Sequence, residues 1–405
     1  MKRCESLIVL LAGVFTAQAG AFLMLAGASL GLAGAGVAQA GDWPHWRGPN
    51  FNGTTDEKNL PSDWSRTENI AWSVELPGSL AATPIVSKDR TCLPVFVSGK
   101  DNAPPAAEVF AYLRGLGNGS YLFGQMATWV HNENPDMDHP TNWLKKVYDH
   151  TGKMPRYGCV TYDFHDNPFP DSAWNKGVEE MWDRGMIVGV FSFYANPTGR
   201  SWNSTLDIDP IFATGDNPTK TNFYNQMNRM ASNLQWLKDR GVPVVYTPFV
   251  ESDDRNKWHA KEGSQNAIKL YRLVHDYFKN VKGLDNVIWA YHTTANHGAL
   301  EKYYPGDAYV DVLGKSAYGA GLNFSEYRWA VEKKKNKGKA IWWSELGIRG
   351  KTDPQRDCMD LVKKLENTYP ELAGFVFWSD DGHYNVLGNK NGSELMACPK
   401  IITLK

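Results

Sequence analysis

Between residues 121 and 378 the chain alternates short, nearly uninterrupted apolar runs with stretches whose apolar residues recur every three or four positions. The runs are 121–126, 157–163, 186–193, 242–249, 286–291, 309–313, 340–344 and 374–378. Continuous apolarity, rather than in–out alternation, is the pattern of parallel strands covered on both faces. The stretches between them predict amphipathic helices. Phe223, Met227, Met230, Leu234 and Leu237 share one face, and Gly241 closes it. Ala267, Tyr271, Val274 and Phe278 form a second face that ends near Gly283, and weaker ones run through Trp143 with Val147 and through Cys358, Leu361, Val362 and Leu365. First and last runs start about 250 residues apart, the usual span of a complete (β/α)8 barrel. The predicted fold is therefore an α/β TIM barrel.

A barrel carries its chemistry at the C-terminal ends of its strands. Two glutamates fall there. Glu251 follows the fourth apolar run, and Glu345 ends the seventh, in Ile341-Trp-Trp-Ser-Glu-Leu-Gly. The fourth and seventh strands face each other across a barrel mouth, so the two carboxyl groups can converge. Paired carboxyl groups about 5–5.5 Å apart cleave a glycosidic bond with retention, one as nucleophile and one as general acid/base. The acid/base needs a raised pKa, and the nucleophile needs donors that keep it ionised. Tyr318, after the sixth run, is a candidate donor. Tyr194, Trp258, His259 and Trp378 are candidate sugar contacts, since a sugar ring stacks its C–H face on an aromatic and needs polar partners for its hydroxyls. Each residue alone also reads as a core aromatic or a solvated loop acid; the joint pattern carries the expectation.

The first hundred residues differ. Lys2 and Arg3 precede an uncharged run from Leu7 to Val37, and Ala38-Gln39-Ala40 matches a small-x-small cleavage site. Residues 1–40 read as a signal peptide, which implies a secreted or periplasmic protein; an uncleaved membrane anchor is the alternative. Residues 42–100 read as a small β-rich appendage, broken by Pro and Gly. Its opening, DWPHWRGPNFNGTT, resembles the start of a pyrroloquinoline-quinone-type β-propeller repeat protein, but no further blades of about 40 residues follow, and no quinone site is carried over. Residues 101–112 are drawn as a linker and 113–405 as the barrel domain.

Composition adds three points. Trp 16, Tyr 18 and Phe 17 make 13 % aromatics, a surplus that suits a carbohydrate cleft or a large aromatic core. The net charge of −1 gives no basic surface for nucleic acid. The cysteines show no metal-ligand spacing; Cys358 with Cys398 is the pair to examine for a disulfide, with free thiols the alternative.

From Tyr121 to about Trp378 the chain also resembles glycoside hydrolase family 26, a clan-A barrel family best known for β-mannanases. The matching pieces include Leu122-Phe-Gly-Gln, Phe191-Ser-Phe-Tyr-Ala-Asn-Pro, Pro243-Val-Val-Tyr-Thr-Pro-Phe-Val-Glu, Tyr304-Pro-Gly-Asp-Ala-Tyr-Val-Asp-Val-Leu-Gly and Trp343-Ser-Glu-Leu-Gly. The resemblance implies a retaining hydrolase of β-linked polysaccharide or oligosaccharide, foremost β-mannan, with Glu345 as nucleophile and Glu251 as acid/base. Tyr318, Trp378 and Trp258 fall on the family's supporting Tyr, Trp and loop aromatic. Three positions depart from the pattern: Val250 replaces the His before the acid/base, Tyr194 stands where a His is common, and Ser252-Asp253 replaces Asn-Gly. These changes alter the shell around Glu251 and leave room for another β-glycan, or for a barrel that binds sugar without turnover. No cofactor, metal or protein partner is implied, since two carboxyl groups suffice for this chemistry.

Overall fold

The computed structural model describes residues 106–128, 134–164, 170–350, 352–378 and 382–404, with Ser65 and the backbone of one hairpin nearer the N-terminus. The chain divides into two units, Met1–Val97 and Ser98–Lys405. In the first, Ile85–Ser87 pairs antiparallel with Arg90–Cys92. The expected signal peptide and most of the appendage lie outside the described residues.

The second unit holds the barrel. Helix α1 (Ala106–Gly115) comes first, with Val109 and Leu113 buried and Glu108 and Arg114 at the ends that complement the helix dipole. Residues 106–112 of the stretch drawn as linker are therefore helix. The barrel then runs β1 (Tyr121–Met126), α2 (Trp143–Thr151), β2 (Tyr157–Asp163), α3 (Asp171–Asp183), β3 (Ile187–Phe193), α4 (Pro218–Lys238), β4 (Val244–Thr247), α5 (Ser264–Asp276), β5 (Val287–Thr293), β6 (Val312–Tyr318), α6 (Tyr327–Lys337), β7 (Ala340–Gly347), α7 (Met359–Thr368) and β8 (Gly374–Phe377). The eight strands pair in chain order, all parallel, and β8 closes onto β1 through Gly374 opposite Leu122. A last strand, Ile401–Leu404, adds beside the start of β1 and pairs antiparallel with Met154–Pro155.

Seven of the eight apolar runs coincide with strands to within a few residues. The fourth is trimmed to its centre because Pro243 and Pro248, which lack a backbone N–H, flank it. The sixth is displaced: residues 309–313 were expected, and Val312–Tyr318 is found. Lys315 and Ser316 interrupt its apolar pattern yet are buried, at 0 % and 1 % exposure. Lys315 is admitted because its ammonium meets Glu326 at 3.0 Å and the Asn296 carbonyl at 2.6 Å. The interior is tightly filled. A Cβ on Gly189 would collide with the Tyr157 hydroxyl, and one on Gly314 with the Ser344 hydroxyl.

The helix faces follow the sequence pattern: α4 buries Phe223, Met227, Met230, Leu234 and Leu237, and Gly241 after it sits at φ 69°. Cys159, Cys358 and Cys398 are free thiols, so the Cys358–Cys398 disulfide is not formed.

Candidate active site

Glu345 lies within β7, two residues before its end, and is only 6 % exposed. Its partner across the β6–β7 ladder is Ser316, at a register shift that begins after Trp343. Tyr318, the last residue of β6, donates its hydroxyl to Glu345 Oε1. Gly347 makes room for this: a Cβ there would strike the Tyr318 and Tyr384 rings, which meet edge to face at 5.3 Å over the end of β7. Burial, and then the charge of Glu251, push the Glu345 carboxyl up to about 8, against the opposing pull of the Tyr318 hydrogen bond and the Lys257 charge.

Glu251 does not sit on a strand. It lies four residues beyond β4, in a turn, at φ 53°. That region disfavours a residue with a long side chain by on the order of 1 kcal/mol, so the surroundings must hold it. They do so on both sides. The Ser252 N–H donates to the His292 carbonyl of β5 at 2.8 Å, and the Asp254 N–H donates to the Glu251 carbonyl at 2.8 Å. Asp253 ties the same turn to the loop after β5, accepting from the Thr294 N–H at 2.7 Å and the Thr294 hydroxyl at 2.6 Å. One Glu251 oxygen accepts from Lys257 Nζ at 2.8 Å, and Ser316 Oγ approaches the other to 3.5 Å. Ser316 thus links the pair: its Cα is Glu345's neighbour in the sheet, and its hydroxyl reaches Glu251. Behind it, His292 Nε2 lies 2.8 Å from Ser316 Oγ. If Ser316 donates toward Glu251, this ring carries its proton on Nε2. Burial holds the His292 imidazole well below its ordinary pKa, and Lys257 and Lys315 add to that.

The sequence profile of glycosyl hydrolase family 26 matches residues 100–403. This chain belongs to that family. It is a glycoside hydrolase, and Glu345 near the end of β7 and Glu251 in the turn beyond β4 lie on the C-terminal side of its strands. Among its relatives is a mannan endo-1,4-beta-mannosidase of Bacillus subtilis (strain 168), 24 % identical over 62 % of this chain and 72 % of that protein. Another, from Thermothelomyces thermophilus, is 26 % identical over 68 % of this chain and 57 % of its own length. The fold is shared with a Bacillus subtilis mannanase structure, TM-score 0.61 at 21 % identity over 76 % of this chain and 96 % of that one. It is shared equally with a family 26 protein from Muricauda, TM-score 0.60 at 22 % identity over 75 % and 98 %.

Within this family 26 barrel the expected sugar contacts divide. Tyr318 is 36 % exposed and touches Glu345, and Trp378, directly after β8, is half-buried with its N–H donated to the Leu346 carbonyl at 2.9 Å. Tyr194, Trp258 and His259 are instead buried. Trp258 is 1 % exposed, donates its indole N–H to the Tyr194 carbonyl at 2.7 Å and packs edge-on against Phe223 and Phe249. Tyr194 is stacked on Phe164 at 5.2 Å, with its hydroxyl 2.8 Å from that of Tyr246. His259 lies 4.9 Å from the Phe249 ring, and burial, with the nearby Lys257 charge, pushes its pKa down to about 3. These three expected sugar contacts are thus buried, with the Trp258 indole N–H turned to backbone and the Tyr194 hydroxyl to Tyr246. Sequence reasoning missed Lys257, Ser316 and His292. Nothing in the pattern marks Lys257 off from an ordinary surface lysine six residues along a polar loop.

Proposed function

We propose that the chain is a retaining endo-acting hydrolase of β-mannan, with Glu345 as nucleophile and Glu251 as general acid/base. The observation that carries this reading is that Glu345 within β7 and Glu251 beyond β4 lie close enough for the Glu251 charge to raise the pKa of the Glu345 carboxyl, with Ser316, the ladder neighbour of Glu345, 3.5 Å from Glu251. In the first displacement Glu345 attacks the anomeric carbon while Glu251 protonates the leaving oxygen; in the second, Glu251 takes a proton from water as water releases the sugar. Tyr318 steadies the Glu345 carboxylate between steps. The named activity of the relatives supports mannan as the substrate. The leader-like residues 1–40 support export.

The roles are separated by leaving group. Glu345→Gln is expected to lose about 10²–10⁴-fold or more on mannan and on an aryl β-mannoside alike. Glu251→Gln is expected to lose a similar factor on mannan but to keep near-parent rates of phenol release in the first turnover, since an activated phenol leaves without protonation. Equal losses for both variants on the aryl substrate overturn the assignment. A parent protein that cleaves no β-mannan, yet binds it, supports the sugar-binding alternative instead.

A further inference from the structure

Glu251 holds a left-handed backbone, and the two residues after it are both fastened to β5 or to the loop that follows β5. Ser252 is fastened through its backbone: its N–H donates to the His292 carbonyl at 2.8 Å. Asp253 is fastened through its side chain. It is 4 % exposed, and its carboxylate accepts from the Thr294 N–H at 2.7 Å, the Thr294 hydroxyl at 2.6 Å and the Asn296 amide at 3.3 Å. Donors such as these replace the water that burial takes from a carboxylate, and short bonds to a carboxylate are the strong kind. The loop that supplies them is itself anchored. The Asn296 carbonyl accepts from Lys315 Nζ of β6 at 2.6 Å, and Lys315 meets Glu326 at 3.0 Å. The grip on the turn is thus rooted in two strands of the barrel wall. Asp253 also belongs to one of the three departures from the family pattern, in the place of a glycine, which has no side chain to make such a grip.

We infer that Asp253 is a positioning residue for the acid/base: its carboxylate holds the left-handed Glu251 turn against β5, so that the Glu251 side chain stands beside the leaving oxygen. This deepens the proposed function and rests on its assignment of Glu251. Other ties grip the chain just before Glu251. Lys257 Nζ meets the Val250 carbonyl at 3.1 Å, and Ser252 Oγ meets the Phe249 carbonyl at 2.9 Å. Asp253 works on the other side, where a side chain joins the residues after Glu251 to the neighbouring strand. Without that carboxylate, Glu251 is free to relax toward the ordinary backbone regions and to carry its side chain with it. A general acid must stand within hydrogen-bond reach of the oxygen it protonates, and a shift of about 1 Å can cost about 100-fold.

The test compares Asp253→Ala and Thr294→Val with Glu251→Gln and the parent, each as the full chain, on mannan and on an aryl β-mannoside with an activated phenol. Asp253→Ala is expected to lose about 10–100-fold in kcat on mannan, yet to release phenol in the first turnover at a near-parent rate. That is the contrast expected of Glu251→Gln, in weaker form. Thr294→Val removes the hydroxyl donor but keeps the side-chain shape and the backbone N–H, and is expected to show the same contrast at about 3–10-fold. A variant that merely loosened the fold would lose both activities together. Hydrogen exchange adds a readout that needs no turnover: the Ser252 N–H is expected to exchange about tenfold faster or more in Asp253→Ala. Equal losses on both substrates, an unchanged rate on mannan or an unmoved Ser252 exchange overturns the inference. Should Asp253→Ala not fold, Thr294→Val decides in the same terms. A contrast in Glu251→Gln without one in Asp253→Ala overturns the inference alone; no contrast in Glu251→Gln overturns the acid/base reading, and the inference with it. A parent that cleaves no mannan overturns the proposed substrate, and the Ser252 exchange then decides for Asp253.

Discussion

A phenol and a carboxylate in contact at the mouth of a barrel favour the ionised acid, because the hydroxyl gives its proton to a negative oxygen. Tyr318 does this for Glu345, and its own proton is held well above the ordinary phenol range, by burial first and by the Glu345 charge next. The hydroxyl therefore stays a donor throughout any working pH. Tyr318→Phe removes the donor and leaves the ring in place over Gly347. We expect kcat/KM to fall about 10–100-fold, the cost of roughly 1.5–3 kcal/mol for a hydrogen bond to a charged group. Stability to urea should change little, since the ring is partly exposed. The Glu345 carboxyl should titrate still higher, as one of the two influences holding it down is gone. An unchanged kcat/KM with a lowered unfolding midpoint would make Tyr318 a packing residue only.

At the scale of elements, the loops after β3 and β4 hold each other. The Trp258 N–H donates to the Trp202 carbonyl at 2.9 Å, and the Trp202 ring meets Phe193 at 5.5 Å and His259 at 6.3 Å. This aromatic wall keeps the Glu251 turn against β5. Trp258→Ala is therefore expected to cost about 3–5 kcal/mol of folding stability, as for other buried Trp truncations, read as a lower urea midpoint. A sugar platform would instead raise KM with stability intact, and that outcome would return Trp258 to the cleft. These residues also show where the sequence was legible. Both glutamates were placed because each follows a β-branched or aromatic strand, a signal that depends on local periodicity alone. The burial of Trp258 was not legible because an indole beside an acid reads the same whether its face is covered or open; the long loop after β3 covers it. Lys257 and Lys315 were unreadable for a related reason. A buried lysine is specified by distant partners, Glu326 in one case and the turn at Glu251 in the other, and neither partnership leaves a mark in hydrophobic spacing. The sixth strand slipped in the reading because Lys315 and Ser316, both buried, broke that spacing.

Across the whole molecule, buried titratable groups pull stability in opposite directions with pH. His259 is held at about 3 in the folded chain against an ordinary value near 6.5, and His292 is lowered in the same sense. Between those limits the unfolded chain binds more protons, so stability rises with pH. Glu345 is the reverse. Its folded value is about 8 against 4.5 unfolded, so over that window the folded chain binds more protons. The stability it contributes is fully present below about pH 4.5 and is lost as pH climbs to about 8, by up to ~1.4 kcal/mol per pH unit. Two histidines outweigh one glutamate below about pH 6.5, and the glutamate acts alone above it, so these three groups place the stability maximum near pH 6.5. Glu345→Gln isolates the falling limb, since the amide keeps an oxygen for Tyr318 and cannot ionise. The variant should gain on the parent steadily between about pH 5 and 8, by a total on the order of 3–4 kcal/mol, measured as the difference in urea unfolding free energy at each pH. A catalytic carboxylate forced to ionise in a buried place is a cost that activity imposes on folding, and removing it should stabilise the protein while silencing it. A difference that stays flat across that range would mean Glu345 already ionises at the ordinary value, with water or a cation reaching it, and that burial and the Glu251 charge act on it far more weakly than its surroundings imply.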